Sequence, residues 1–319
     1  MRFHNVIALF LTAVFILSLS SVSHAEDAQS LYVIGIKCVK DKDYKKAMGY
    51  FEQAIKLNKA YVKAYVGKGI CEFMQDNHRK ALESLNKAVQ LDPENVTALF
   101  WRGTTYLMLG ESKNAIPDFT GVLRKQPENS ASYLFRGICH FRLDSLEETI
   151  SDVSKSISFN PRKADPYIVR GMSYFKKEKY DSALRDLTRG VELDPNNAYY
   201  QLLAYTVKAR GGDMSKDSIS AFYEKNHTDK DTLDVMMIGM MIGKVAPDAV
   251  LKAAEKFEPE NLRGTMIQQA QFFVGNLFYL QGDKEKGRKY VDLAMNGENR
   301  LFIIQAIVKM GYYDFKGLE

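Results

Sequence analysis

The chain has 319 residues, 46% apolar and 26% charged, a balance that excludes wholesale disorder, and its 8 prolines and 21 glycines exclude a collagen-like or linker-dominated chain. Its net charge of +5, from 44 basic and 39 acidic residues, is too small to mark a nucleic-acid-binding protein. Three cysteines are too few for a disulfide-stapled mini-fold, and the length allows about two domains of roughly 150 residues each.

Residues 1–25 read as a secretory signal peptide. Arg2 is the only charged residue before Glu26, Val6 to Leu17 is a nearly unbroken apolar run, and Ser23-His24-Ala25 supplies an A-x-A-like cleavage site. The run is too short to favour a membrane span, and no later segment reaches 18 apolar residues. The expectation is a periplasmic or secreted protein, soluble after cleavage, with no cysteine near the cleavage point to carry a lipid anchor. Export permits disulfides. Cys38, Cys71 and Cys139 are an odd number inside predicted helices, so they read as buried, inert thiols, with a Cys38–Cys71 bridge as the alternative.

Residues 26–197 carry a 34-residue period. Glycine recurs at Gly35, Gly69, Gly103, Gly137 and Gly171. Twelve residues after each stand Ala47, Ala81, Ala115, Thr149 and Ala183, and four further on Phe51, Leu85, Phe119, Val153 and Leu187. A small residue follows at Ala54, Ala88, Ser156 and Gly190, with Val122 in the third repeat; Pro93, Pro127, Pro161 and Pro195 close the last four repeats. This order resembles the tetratricopeptide repeat (TPR), over five units. The spacing itself predicts two helices per unit, A and B, with A's glycine admitting B's large side chain and the proline ending B. The resemblance implies an all-α, right-handed superhelical solenoid with a concave face lined by A helices.

Two further columns stand beside the glycines. Arg102, Arg136 and Arg170 precede the last three, and Asp118, Asp152 and Asp186 lie 16 residues beyond them, so we expect structural ion pairs between helices A and B. The second repeat has Lys68 and Ser84 instead, without the acid. The other column is apolar. One residue after, three before and four after each glycine stand Ile70, Phe73, Phe100, Leu107, Leu134, Ile138, Phe141, Ile168, Met172 and Phe175, joined by Tyr32, Ile36, Val39 and Val66, with Thr104 the one polar member. In a TPR stack this stripe is expected to line the concave groove, and left bare it would exceed the apolar patch of a soluble monomer. A partner with an amphipathic or apolar segment would cover it. Self-coverage, by homo-oligomerisation or by tight A-helix contacts, is the alternative.

From residue 198 the register degrades. Residues 198–262 read as helix pairs, Tyr199–Arg210 with Ser215–Lys225 and Asp231–Ile242 with Pro247–Phe257. Residues 263–319 read as a TPR-like pair around Gly275, Gly287 and Ala294, with Arg300–Lys309 as a capping helix. The stretches MMIGKVAPDAVLKAAEK (240–256) and FFVGNLFYLQGDKEKGRKYVDLAM (272–295) resemble the NlpI family of periplasmic TPR adaptors. That resemblance implies a scaffold for a periplasmic protease or cell-wall hydrolases. Unlike that family, this chain lacks a cysteine for lipidation.

No constellation for catalysis emerges. His78, His140 and His227 lack metal-ligand spacing, and Cys139-His140, as sequence neighbours on a helix, point about 100° apart. No G-x-S-x-G, P-loop, dinucleotide fingerprint or H-E-x-x-H occurs. Met236, Met237, Met240 and Met241 read as adaptable core, with Cu(I) ligation as the alternative. The expected protein is a non-catalytic scaffold without metal or cofactor, its overall charge giving little steering toward anionic lipid or glycan. The alternative is a self-assembling structural protein.

Overall fold

A computed structural model describes residues 27–228, 232–258 and 260–296. Among these residues all regular structure is helical. The expected leader at 1–25 and the expected capping helix Arg300–Lys309 lie outside the described residues. The chain divides into two compact units, residues 1–127 and 128–313, so the boundary falls inside the regular repeats rather than at their end.

The first unit contains α1 (27–40), α2 (Tyr44–Leu57), α3 (Val62–Met74), α4 (His78–Leu91), α5 (Val96–Met108) and α6 (Ser112–Lys125). Each odd-numbered helix pairs with the next. The second unit continues with α7 (Ser130–Arg142), α8 (Leu146–Phe159), α9 (Ala164–Lys176), α10 (Tyr180–Leu193) and α11 (Ala198–Arg210). Then come α12 (Asp217–Asn226), α13 (Leu233–Ile242), α14 (Pro247–Glu255), α15 (Glu260–Leu280) and α16 (Lys284–Asn296).

Glycine sets the spacing within each pair. A Cβ on Gly35 would come within 2.6 Å of the Phe51 ring, and one on Gly69 within 2.7 Å of Leu85. The same approach joins Gly137 to Val153 at 2.7 Å and Gly171 to Leu187 at 2.9 Å. Between α15 and α16 the approach is backbone to backbone, a Cβ on Gly275 meeting the Gly287 carbonyl oxygen at 2.8 Å. Helix starts also repeat. Asn95, Asn129 and Asn197 each accept a backbone N–H three residues on, capping α5, α7 and α11.

The turn between A and B holds a left-handed residue at the same register each time: Lys42, Asp76, Gly110, Asp144, Glu178 and Gly212. At Lys42, Asp76, Asp144 and Glu178 a side chain bears this conformation, with φ between 57° and 63°. It lets the turn's N–H groups reach the last carbonyls of helix A, as Glu178 N does to Phe175 O at 2.9 Å.

The three cysteines are buried and free, so the alternative Cys38–Cys71 bridge is not formed. Burial pushes the Cys71 thiol up to about 12. Met237, Met240 and Met241 are buried in α13, and Met236 is half-buried. No helix among the described residues is long and apolar enough to cross a membrane.

Two substitutions test this geometry by chemical denaturation. Glu178→Gly relieves the left-handed strain and is expected to raise stability by about 0.5–1 kcal/mol. Gly275→Ala is expected to lose about 1–3 kcal/mol or more, because backbone rather than a pliable side chain blocks the methyl.

Candidate functional site

The apolar stripe is interior. Ile70, Leu107, Leu134 and Ile168 are fully buried, Ile138 is 1% exposed, and Met172 and Phe73 are nearly so. Only Phe100, Phe141 and Phe175 of the ten expected groove residues are half-buried. The expectation of a bare apolar groove is therefore corrected to the alternative of tight contacts within the stack. A helices of successive repeats touch, α3 on α5 and α7 on α9. Phe73 meets Trp101 edge-on at 5.4 Å, and Ile168 packs where a Cβ on Gly190 would stand at 2.4 Å. These contacts consume the face that helix periodicity alone leaves open.

The ion pairs have close geometry. Arg102 donates to both carboxylate oxygens of Asp118 at 2.9 and 2.7 Å, Arg136 to Asp152 at 2.7 and 2.7 Å, and Arg170 to Asp186 at 2.7 and 2.8 Å. Each arginine is about one-fifth exposed and each aspartate about one-tenth or less. The third guanidinium nitrogen reaches the preceding B helix, from Arg102 to Asn86 at 3.2 Å and from Arg170 to Ser154 at 2.9 Å. Burial raises the Asp118 carboxyl despite its arginine, while the hydrogen bonds to Asp118 raise Arg102. Burial cost thus offsets much of the attraction at this rung.

The second repeat supplies its acid from an unexpected place. Glu72, one helical turn beyond Lys68, is 6% exposed and accepts from Ser84 Oγ at 2.7 Å, with Lys68 Nζ 3.9 Å away. The signal in the sequence was the i,i+4 spacing of Lys68 and Glu72. Burial is the largest influence on Glu72 and raises its carboxyl above the usual range.

His140 Nε2 lies 3.8 Å from Asp152, but that carboxylate already takes two hydrogen bonds from Arg136. His78 is half-buried and His227 stacks on Tyr223 at 4.7 Å. Among the described residues, no group of three His, Cys, Asp or Glu could hold a metal ion.

An accessible feature remains in the second unit, at the C-terminal ends of the A helices. Lys176 Nζ lies 5.3 Å from the Phe141 ring centre and pairs with Asp144, one turn after α7. One repeat on, the Arg210 guanidinium stands 5.9 Å from the Phe175 ring and 3.6 Å from the Tyr279 ring. Phe141, Phe175, Arg210 and Tyr279 are half-buried. Among the described residues Arg210 has no carboxylate partner within salt-bridge distance, so its charge is answered only by the two ring faces. The sequence singled out Phe141 and Phe175 but missed Lys176, Arg210 and Tyr279. The cations sit one residue after the apolar column.

Four tetratricopeptide-repeat family models match, at residues 28–61, 72–110, 100–153 and 164–197. The fold and these matches identify TPR repeats of paired helices within residues 28–197, and a TPR fold suggests a protein–protein interaction scaffold. Among similar solved structures is YrrB, described as a TPR protein with an unusual peptide-binding site. It is 21% identical with a TM-score of 0.50, over 55% of this chain and 91% of that one. MamA from Desulfovibrio magneticus RS-1 is 19% identical with a TM-score of 0.51, over 54% of this chain and 97% of that one. PilF of Pseudomonas aeruginosa is 15% identical with a TM-score of 0.56, over 64% and 91%. At these identities the likeness shows the fold. No curated protein matches the sequence.

Removing one member of a rung should be costly. Arg170→Ala is expected to lose about 3–5 kcal/mol in denaturant unfolding, by stranding a buried carboxylate, whereas Arg170→Met with Asp186→Leu should come near to neutral or gain. Glu72 adds a pH signature. Its folded pKa lies above the unfolded value, so its contribution is fully present below about pH 4 and is lost as pH rises through the folded pKa. Glu72→Gln should gain stability relative to the parent as pH rises across that window, read from unfolding midpoints at several pH values.

Proposed function

We propose that this chain is an exported, non-catalytic adaptor that holds a segment of another protein on the aromatic and cationic row at Phe141, Lys176, Phe175, Arg210 and Tyr279. The observation that carries the reading is Arg210, a half-buried guanidinium beside two rings with no carboxylate partner among the described residues. Such a group accepts an acidic side chain or a chain-terminal carboxylate. The flanking rings accept an apolar residue beside it. The TPR architecture supports a protein or peptide as ligand. The leader sequence and the stretches similar to the NlpI family support a setting in the cell envelope and a protease or cell-wall hydrolase as partner. The self-assembling alternative loses the observation that motivated it, since the apolar stripe is already covered within the chain.

Two measurements test the reading. Crosslinking in cells should capture a partner with the parent chain and lose it, by roughly tenfold or more, with Phe175→Ala or Arg210→Ala, as expected of residues that anchor an interface. Equal capture by both folded variants would remove the row from the binding surface. N-terminal sequencing of the protein recovered from the envelope should begin at Glu26. A chain that keeps Met1 in the cytoplasm would remove the export half of the reading.

A further inference from the structure

The +5 charge is not spread over the chain. Residues 37–63 hold eight lysines against three acids, a surplus equal to the whole chain's, so the remaining residues balance. All eight lysines are exposed, among them Lys37, Lys40, Lys45, Lys46, Lys56 and Lys59. The acids are partly engaged: Asp43 caps α2 through Lys46 N, and Glu52 pairs with Lys68.

The same repeat exposes apolar side chains. Val33 is 58% exposed, Ile34 43% and Leu57 36%. In later A helices the position equivalent to Val33 holds Gly67, Trp101, Phe135 and Val169, all buried. In α3 the reason is visible, since a Cβ on Gly67 would press on Phe51 of the preceding pair at 2.7 Å. The position equivalent to Lys37 holds Cys71, Thr105, Cys139 and Ser173, again all buried. The α1 face is thus the one that other repeats use for stacking. Here it carries Val33 with a lysine one turn on, where a stacking helix would need a small or apolar residue, and Ile34 beside it stands at the register of Lys68, Arg102, Arg136 and Arg170. Lys63 closes the other side, 5.9 Å from the Tyr32 ring, and Tyr61 touches Tyr32 at 5.6 Å, which brings the Lys59 turn alongside α1.

We propose that this open face of the first repeat docks on a lipid bilayer rich in anionic phospholipid, with Val33 and Ile34 entering the interface and the surrounding lysines meeting the headgroups. Exposed apolar side chains with lysine one turn on, in a repeat rich in exposed lysine, are the pattern of an interfacial anchor. A second copy of the chain fits poorly, because pairing this face with itself would set lysine against lysine. Docking here leaves the row at Phe175 and Arg210 uninvolved, so the two readings stand or fall separately.

The test is co-sedimentation of the full chain with phosphatidylcholine vesicles, with and without phosphatidylglycerol, at low and high salt. Binding is expected only with phosphatidylglycerol and should fall with salt. Lys37→Gln with Lys59→Gln should weaken it by roughly fivefold per lysine removed. Val33→Ser with Ile34→Ser should weaken it by about tenfold at unchanged salt slope. Arg124→Gln with Lys125→Gln, which removes the same charge from α6, should change it little. Equal losses from both charge pairs would reduce the effect to net charge and overturn the proposal. So would binding that ignores lipid charge, as the apolar leader alone would give. Absence of vesicle binding alongside salt-sensitive capture of an acidic protein by the same lysines would overturn it in favour of a protein partner.

Discussion

The distance between the two helices of each pair is the constraint from which the rest of this structure follows. A large side chain of helix B, Phe51, Leu85, Phe119, Val153 or Leu187, lies directly on the bare Cα of a helix A glycine. At every one of these sites the missing Cβ would stand at 3.1 Å or less from that side chain. Phe51 extends the principle across repeats, since its ring fills the space beside both Gly35 and Gly67. Close pairs then stack closely, and close stacking is what buries the A-helix stripe. The solenoid gains its core from neighbours rather than from within any one pair.

Close stacking also decides where polar groups can stand. Arg102 and Arg170 each lie half-buried where two B helices meet their own A helix. Arg170 satisfies Asp186 with two nitrogens and Ser154 with a third, so one guanidinium joins three helices. Such a rung contributes little net free energy after burial is counted. Its effect is on register, because a slipped helix would leave a buried carboxylate without its fork of donors. The second repeat reaches the same end differently, with Glu72 on helix A and Ser84 on helix B. There Lys68 stands 3.9 Å from Glu72 and 3.0 Å from the exposed Glu52 of the preceding repeat, so its charge is answered outside the Arg–Asp pattern.

Much of this was legible in the sequence, because both partners of each contact obey the 34-residue period. Gly137 with Val153 and Arg136 with Asp152 could be paired by counting. The expected bounds of the later helices also came close, Tyr199–Arg210 against the observed Ala198–Arg210 and Pro247–Phe257 against Pro247–Glu255. The stripe failed for a physical reason. Periodicity shows that Ile70, Leu134 and Ile168 share a face with their equivalents, but not whether that face meets water or the next A helix. The contact that buries Phe73 comes from Trp101, on the next A helix, outside any helical window. Arg210 was missed because its partners are rings, Tyr279 lying 69 residues on, with no opposite charge to complete a pattern. The lysine-rich first repeat was hidden by averaging, since a net charge of +5 over 319 residues looks mild until its position is asked.

The burial of the stripe in turn narrows what the repeats can recognise. With most of the positions one after and three before the glycines packed inside, Phe100 and Ile36 being half-buried, the ends of the A helices and their turns offer more surface to a ligand. There the two rungs of the row differ in kind. Lys176 has Asp144 beside it, so an incoming acid must compete with a carboxylate already in place. Arg210 faces two rings and, among the described residues, no acid, and its fork geometry suits a carboxylate better than a lysine's point charge would. In the proposed site, electrostatic selectivity would concentrate at α11, where the regular repeats give way to the irregular helix pairs and where Tyr279 of α15 supplies the second ring. A residue outside the regular repeats thus stands beside Arg210, at a position that repeat counting alone does not reach.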